Sequence, residues 1–237
     1  MTENQTHKPT ANIDAAELAK FEAMAPIWWD RQGDYKALHD INGLRLEYIN
    51  QWAALAGKAV LDVGSGGGIL SEAMAARGAV VTGIDMGGVA LGVARLHLRH
   101  SGLEVNYQQV TAEQFAETHP ARFDVVTCLE LLEHVPDPAS VINACKTLVR
   151  PGGDVFFATL NRNLKSYVFA IVGAEYILGL VRKGTHTYHK FIKPAELKDW
   201  AGAARLASMD LRGLHYNPFL RRYTLGGNTH VNYLAHF

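Results

Sequence analysis

The sequence has few cysteines, no excess charge and no long hydrophobic run, and each shortage excludes a class of protein. Only Cys128 and Cys145 occur among the 237 residues, which excludes a disulfide framework and a four-cysteine zinc site. The 23 basic and 23 acidic side chains balance, so no positive field is available for tight, sequence-independent nucleic-acid binding. We therefore expect no nucleic-acid partner.

The sequence contains neither a secretory signal nor an apolar segment long enough to span a membrane. The first ten residues are polar, unlike a secretory signal. The longest apolar run, 167–181, contains Glu175, and as a helix it would reach only about 22 Å across a hydrocarbon core of about 30 Å. Basic residues at both ends would let 165–183 lie on an anionic membrane surface, although a buried lid helix explains the run equally well. We expect a cytoplasmic protein, held peripherally at the inner face of the membrane if that contact forms.

Short β-branched runs alternate with helical patterns along most of the chain, which is typical of an α/β fold with a parallel sheet. The predicted strands are 59–63, 80–85, 105–110, 123–128 and 154–159, separated by helices 69–77, 88–100 and 139–149. The tail, with 209–215 and 231–236, is predicted to close the sheet as an antiparallel pair. Residues 1–56, with helices 14–22 and 44–55, form a predicted N-terminal helical cap. Residues 57–237 form the main domain, with an insertion at 162–193.

A glycine-rich turn follows the first strand and indicates the class of ligand. Dinucleotide binding by G-x-G-x-x-G requires glycine at position 69, where Ile69 stands, or Gly or Ala at Ser71 in the next frame. A P-loop is also excluded, because no Lys-Ser/Thr pair follows. What remains is Asp62-x-Gly64-x-Gly66-x-Gly68, a loop with little side-chain bulk that lets the backbone approach a small adenosyl ligand.

Asp85 ends the second strand, 21 positions after Gly64. A carboxylate at this place suits hydrogen bonds to ribose hydroxyls. By itself it is a feature that nicotinamide-binding and adenosylmethionine-binding proteins share. An ordinary strand-to-helix turn with a capping aspartate is the alternative interpretation of the loop and this residue.

Successive motifs then resemble one family. The glycine loop, Asp85, and the runs 123–128 and 148–153 resemble the seven-stranded adenosylmethionine-dependent methyltransferases. The runs 20–22, 28–30, 38–46, 129–135, 159–163 and 213–218 resemble, within that class, the ubiquinone-biosynthesis O-methyltransferases over nearly the whole chain. The resemblance implies a Rossmann-like, doubly wound sheet of seven strands, mostly parallel with an antiparallel last strand. The chain departs from the family at Ser65, where Cys is common, and at Leu129, where Met is common.

The resemblance also implies which residues contact S-adenosylmethionine. They are Arg45, Gly64, Asp85 and Leu129, with Asp62, Gly66 and Glu113 as additional positions. Arg45 has a planar guanidinium suited to the methionine carboxylate, although an arginine in a helical pattern is commonly a solvated surface residue. Core packing is the alternative for Leu129.

Glu130, Glu133 and His134 are spaced so that a helical turn would place all three on one face beside the cofactor. They are the candidate catalytic residues. One interpretation is a divalent cation site, for Mg²⁺ or another ion, that orients a catechol. A second makes His134 or Glu133 the general base for a phenol, and a third has His134 only tying the turn to the backbone.

The activity that the resemblance implies is methyl transfer from S-adenosylmethionine to a hydroxyl of polyprenylated catechols. The acceptors would be an early 2-polyprenyl-6-hydroxyphenol and the late 3-demethylubiquinol, with partners in a ubiquinone-biosynthesis complex. Two alternatives stay open: a methyltransferase for another small molecule, and a noncatalytic scaffold in a membrane-associated biosynthetic complex.

Overall fold

A single mixed sheet of eight strands organises the molecule, of which the computed structural model describes residues 11–162, 190–217, 220 and 222–237. The order of strands is β3-β2-β1-β4-β5-β8-β6-β7, and β1 to β5 run parallel to one another. Strand β8 runs antiparallel to both β5 and β6, and β7 is antiparallel to β6. The strands are β1 (Ala59–Val63), β2 (Val80–Asp85), β3 (Val105–Gln109), β4 (Phe123–Leu129), β5 (Val149–Leu160), β6 (Asp210–Asn217), β7 (Arg222–Gly226) and β8 (Asn232–His236).

Helices cover the sheet, and polar residues fix where several of them begin. Asp14 accepts hydrogen bonds from the backbone N–H groups of Ala16 and Glu17, and Asp137 accepts one from Ser140 just before Pro138. Such caps satisfy amides that have no partner in the first turn. The described helices are α1 (Ala15–Met24), α2 (Lys36–Ala53), α3 (Ile69–Ala75), α4 (Gly88–Ser101), α5 (Ala112–Thr118), α6 (Pro138–Leu148) and α7 (Pro194–Ala203), with 3-10 turns at Ala25–Ile27 and Leu132–His134.

The predicted α/β fold with an antiparallel last strand is confirmed, and the differences are local. The sheet has an eighth strand, β7, which pairs with β6 at the edge of the sheet. The sequence did not predict it, because its alternation of buried and exposed residues is weak. Strand β5 begins at Val149, before the Pro-Gly-Gly sequence, with a register shift opposite Phe123 and Val125. Helix α2 begins at Lys36, eight residues before the predicted start.

The strand order places the ends of β1, β2 and β4 together. Val63, the last residue of β1, is in register with Ile84 of β2 on one side and with Cys128 of β4 on the other. Strands β2 and β3 lie on one side of β1, and β4 and β5 lie on the other. Such a reversal of strand order opens a crevice beyond the carboxyl ends of these strands, where ligands bind in doubly wound sheets.

Two adjacent tryptophans attach the N-terminal residues to the glycine loop after β1. The indole nitrogen Nε1 of Trp29 donates a hydrogen bond to the Gly67 carbonyl oxygen at 2.8 Å. The Trp29 ring stacks on His97, with ring centroids 3.4 Å apart, and His97 in turn contacts Glu72. Trp28 is buried against Tyr35. The residues between α1 and α2 are thereby fastened to the glycine loop of the sheet.

No helix within the described ranges is both long enough and apolar enough to cross a bilayer. The predicted insertion at 162–193 and the membrane contact at 165–183 fall mostly or wholly on residues 163–189, which lie outside the described ranges.

Asp62 is a buried carboxyl in the middle of the sheet. It accepts hydrogen bonds from the hydroxyls of Ser71 at 2.6 Å and Thr127 at 2.7 Å, and only 3% of it is exposed. Loss of solvation disfavours the charged form more than the two hydroxyls favour it, which raises the pKa of Asp62 from 3.8 to about 6. The residue links β1, β4 and α3 directly beneath the glycine loop.

The pH dependence of stability should reveal this carboxyl. A group that holds its proton more tightly when folded makes the folded state less stable as the pH rises from 3.8 through about 6. We expect Asp62→Asn to gain stability relative to the wild type over this window, by roughly 3 kcal/mol at most. Urea unfolding at a series of pH values measures the difference, with Asp199→Asn on the exposed face of α7 as the control. A constant offset between Asp62→Asn and the wild type would contradict this assignment.

Candidate active site

A cleft lies at the carboxyl ends of β1, β2 and β4, where the strand order reverses. It encloses about 920 Å³, which includes space open to solvent. Helix α1 covers one side of it, and the loops after four strands form the other. Its lining residues are Asn12, Ile13, Asp14, Glu17, Leu18, Phe21, Glu22, Trp28, Val63, Gly64, Gly66, Ile84, Asp85, Met86, Gly87, Ala90, Val110, Thr111, Ala112, Glu113, Glu130, Leu131, His134, Val135 and Val141.

The glycine loop after β1 has a backbone shape that side chains would not allow. Gly64 and Gly66 have φ angles of +75° and +51°, in the left-handed region that favours glycine. A Cβ atom on Gly66 would lie 2.3 Å from Cζ2 of Trp28, so this residue also has no room for a side chain. The loop thus presents bare backbone to the cleft and packs closely against the Trp28 indole, which lines the cleft as well.

Asp85 joins the glycine loop to the loop after β2. Its Oδ2 accepts a hydrogen bond from the Gly66 N–H at 2.9 Å, and its Oδ1 accepts one from the Gly87 N–H at 2.7 Å. Burial raises the pKa of Asp85, while these backbone donors act in the opposite direction. Each carboxylate oxygen has a further lone pair, so the residue can still accept hydrogen bonds from a ligand in the cleft.

The opposite wall, after β3, is mainly apolar and ends in an acidic residue. Val110 and Ala112 line this part of the cleft, together with Met86 from the loop after β2. Glu113 follows them, and its Oε1 accepts hydrogen bonds from the Asn12 amide at 2.8 Å and the Ser140 hydroxyl at 2.9 Å. Glu113 therefore holds the residues before α1 against α6 while it lines the cleft.

Glu130 adopts a strained backbone conformation directly after β4. Its φ angle is +56°, which is uncommon for a residue with a side chain and is typical of functional sites. Its carboxylate forms an ion pair with Arg45 and accepts a hydrogen bond from the Asn232 amide at 3.2 Å. The buried guanidinium of Arg45 is thus engaged by Glu130, and Arg45 does not line the cleft.

The prediction that Glu130, Glu133 and His134 share one helical face is wrong. The left-handed conformation of Glu130 ends the strand, and only Leu132–His134 forms a 3-10 turn. Glu133 points into the core and is 3% exposed, with its Oε2 lacking a hydrogen-bond partner among the described residues. Burial, and then the nearby charge of Glu130, hold its pKa well above the usual range.

His134 lines the cleft and faces α1. Its Nδ1 lies 2.8 Å from Oε2 of Glu17, and its ring makes a T-shaped contact with that of Phe21. The hydrogen bond to His134 is the largest cause that lowers the pKa of Glu17 to about 2. Across the described ranges, no group of three or more His, Cys, Asp or Glu side chains is arranged to hold a metal ion. Of the three residues proposed as metal ligands, Glu130 pairs with Arg45, His134 pairs with Glu17 and Glu133 is buried, so they do not fit a shared cation.

Two further predicted cofactor residues lie beneath the cleft and do not line it. Asp62 is engaged by Ser71 and Thr127, as described above. Leu129 is 9% exposed at the end of β4 and belongs to the hydrophobic cluster with Leu46 and Phe156. Gly64, Gly66, Asp85, Glu113, Glu130 and His134 do line it.

The sequence did not indicate the contribution of α1. Leu18, Phe21 and Glu17 line the cleft from this helix, and Glu22 accepts a hydrogen bond from the Val89 N–H at 3.2 Å. These contacts join residues more than sixty positions apart in the chain. The spacing of the acidic residues in α1 is also compatible with a solvated helix face, so it could not identify them as residues that line the cleft.

Comparisons with known proteins agree with this architecture. A family model described as a methyltransferase domain matches residues 29–209. A "possible histamine N-methyltransferase" from Thermotoga maritima superimposes with a TM-score of 0.66 at 15% identity, covering 93% of this chain and 98% of that one. Magnesium protoporphyrin IX methyltransferase from Synechocystis PCC 6803, solved with bound SAH, gives a TM-score of 0.64 at 15% identity, covering 92% and 93%. At these identities the two structures establish the fold.

Curated relatives are much more similar in sequence. The ubiquinone biosynthesis O-methyltransferase of Stutzerimonas stutzeri is 61% identical over 225 residues, covering 95% of this chain and 97% of the relative. The protein of the same name from Azotobacter vinelandii is 61% identical over 224 residues, covering 94% and 97%. The resemblance inferred from the motifs is therefore confirmed, and the chain belongs to the family of ubiquinone biosynthesis O-methyltransferases.

Proposed function

We propose that this chain transfers the methyl group of S-adenosylmethionine to a phenolic hydroxyl of polyprenylated catechols. The acceptors would be an early 2-polyprenyl-6-hydroxyphenol and the late 3-demethylubiquinol, as expected from the family. The observation that carries the proposal is the bare glycine loop held to the next loop by Asp85 at the edge of the cleft. This arrangement suits an adenosyl group that lies against backbone with a carboxylate beside its ribose.

The residues in the cleft divide between the parts of the methyl donor. The backbone of Gly64 and Gly66 would face the methionine end, and the free lone pairs of Asp85 would accept from the ribose hydroxyls. The apolar side chains Met86 and Val110 would contact the adenine. Arg45 and Leu129 remain proposed contacts that rest on the family resemblance. Asp62 would act from below, by fixing the strand that carries the loop.

When bound, S-adenosylmethionine supplies a methyl group that is already activated on a sulfonium. The protein then has to place the acceptor oxygen in line with that methyl and to remove the phenolic proton. An unperturbed phenol has a pKa of about 10, so a positioned base is useful at neutral pH. His134 is the better placed of the two candidate bases, since it lines the cleft while Glu133 is buried with a raised pKa. No step is assigned to a divalent cation, because no three of the described carboxyl and imidazole side chains are arranged to hold one.

The two alternatives differ from this proposal in what they require of the cleft. A methyltransferase for another small molecule would bind the same donor and discriminate only among acceptors. A noncatalytic scaffold, in contrast, needs no donor affinity. Calorimetric titration with S-adenosylhomocysteine tests the scaffold, and an activity assay with unrelated phenols and amines tests the other acceptor classes.

We expect Asp85→Asn to weaken the binding of S-adenosylhomocysteine by about 10- to 100-fold, since one charge-assisted acceptor is worth roughly 1.5–3 kcal/mol. An amide of the same shape keeps one acceptor and loses the charge. Isothermal titration of the full-length protein measures the change, and Asp199→Asn on α7 supplies the same substitution on an exposed surface. Unchanged affinity in Asp85→Asn would contradict the proposed ribose contact.

Substitutions of His134 and Glu133 should have different effects on kcat. We expect His134→Ala to lower kcat by roughly 100- to 10,000-fold, the usual contribution of a general base, with donor affinity preserved. Glu133→Gln replaces the buried carboxyl by an amide of equal size, and we expect a much smaller loss. Transfer of a radiolabelled methyl group to a short-chain demethylubiquinol analogue gives both values. If Glu133→Gln proved the more damaging change, the proton would have to be assigned to Glu133.

Contact with a membrane through 165–183 remains a prediction from the sequence, as does a partner in a ubiquinone-biosynthesis complex. An acceptor with a polyprenyl tail is insoluble in water, which gives a peripheral contact a purpose. We expect the double substitution Val172→Asp and Leu178→Asp to reduce flotation with liposomes that contain anionic lipid. Flotation equal to that of the wild type would argue for a buried lid helix.

A further inference from the structure

We infer that Glu17 is a positioning residue for methyl transfer: its carboxylate orients the His134 ring so that Nε2 is the nitrogen that accepts the phenolic proton. This inference rests on the proposed function and extends it to α1. The supporting contact is the 2.8 Å hydrogen bond between Nδ1 of His134 and Oε2 of Glu17.

The pair is sheltered and lies beside the place proposed for chemistry. The side chains of His134 and Glu17 are 13% and 14% exposed, and both line the cleft. Glu130 and Gly64, which line it too, belong to the loops that follow β4 and β1. A hydrogen bond in such a site is screened less by water than one on the surface.

The charge of Glu17 decides which ring nitrogen carries the proton. A carboxylate can only accept hydrogen bonds, so the neutral ring must keep its hydrogen on Nδ1. Lysine side chains support the charge: Lys190 Nζ lies 3.4 Å from Oε1, and Lys20 Nζ lies 3.6 Å from Oε2. Lys190 also pairs with Asp14 at 2.8 Å. This leaves Nε2 of His134 with the lone pair.

Packing fixes the plane of the ring as well. Phe21 lies one helical turn after Glu17 on α1, and its ring meets that of His134 edge to face, with centroids 4.8 Å apart. The two α1 residues hold the imidazole through one hydrogen bond and one aromatic contact. A base that is held in this manner loses little entropy when the acceptor arrives.

The alternative is that Glu17 only fastens α1 over the cleft. The two roles differ in what they do to ligand affinity. A fastening residue holds the wall of the donor site, so its loss weakens donor binding and turnover together. A positioning residue acts on the proton transfer, so its loss lowers kcat and leaves donor affinity unchanged.

Glu17→Gln in the full-length protein is the test, because glutamine keeps the size of the side chain and loses its charge. We expect kcat to fall on the order of 10- to 100-fold, with the dissociation constant of S-adenosylhomocysteine changed by less than about twofold. Glu47→Gln, which breaks an exposed ion pair with Arg77, is the matched control and should retain the wild-type kcat. A parallel loss of kcat and affinity in Glu17→Gln, or an unchanged kcat, would overturn the inference.

A double-mutant cycle tests whether Glu17 acts through His134. In the His134→Ala background, Glu17→Gln should change kcat by less than about twofold, since the group it orients is gone. Effects that multiply would show that Glu17 acts independently of the ring and would overturn the inference. The wild-type enzyme provides the separate check on the proposed function, because failure there to bind S-adenosylhomocysteine or to transfer methyl would reject that function before any variant is compared.

Discussion

The link between Asp85 and the two loops beside it is the constraint on which the active site depends. One carboxylate accepts hydrogen bonds from Gly66 and Gly87, so the loops after β1 and β2 cannot move apart without leaving buried polar groups unpaired. The bare shape of the glycine loop is useful only if the loop is held in this manner. Trp28 packs against this loop and belongs to one hydrophobic cluster with Met24, the last residue of α1.

The sequence predicted the part of this arrangement that is local. Strands β1 and β2 begin and end where the pattern placed them, because buried β-branched runs end abruptly at Gly64 and Asp85. The pairing of Glu17 with His134 joins residues 117 positions apart, and no pattern within α1 marks it. The shared face expected for Glu130, Glu133 and His134 failed for a similar reason, since the left-handed backbone at Glu130 depends on its contacts with β5 and Arg45. The spacing rule for a shared helical face does not apply to Glu130, because the 3-10 turn begins only at Leu132.

Environment gives neighbouring carboxyls opposite properties in this site. Glu133 is buried near Glu130, and its pKa is raised well above the usual range. Glu17 has a hydrogen-bond donor in His134 and two lysines nearby, and its pKa is lowered to about 2. The same residue type therefore has a raised pKa beneath the cleft and a lowered pKa beside it. Such a division is how protein sites separate acid and base roles between chemically identical groups.

The charge of the cleft also differs from that of the whole chain, which is neutral. Six carboxyl residues line it, while none of its described lining residues is lysine or arginine; the six are Asp14, Glu17, Glu22, Asp85, Glu113 and Glu130. Arg45 and Lys190 offset part of this charge from behind, through Glu130, Asp14 and Glu17. An acidic cleft favours a sulfonium, which is positively charged, over the neutral thioether that remains after methyl transfer. The same carboxylates that shape the loops therefore favour binding of the donor and release of the product.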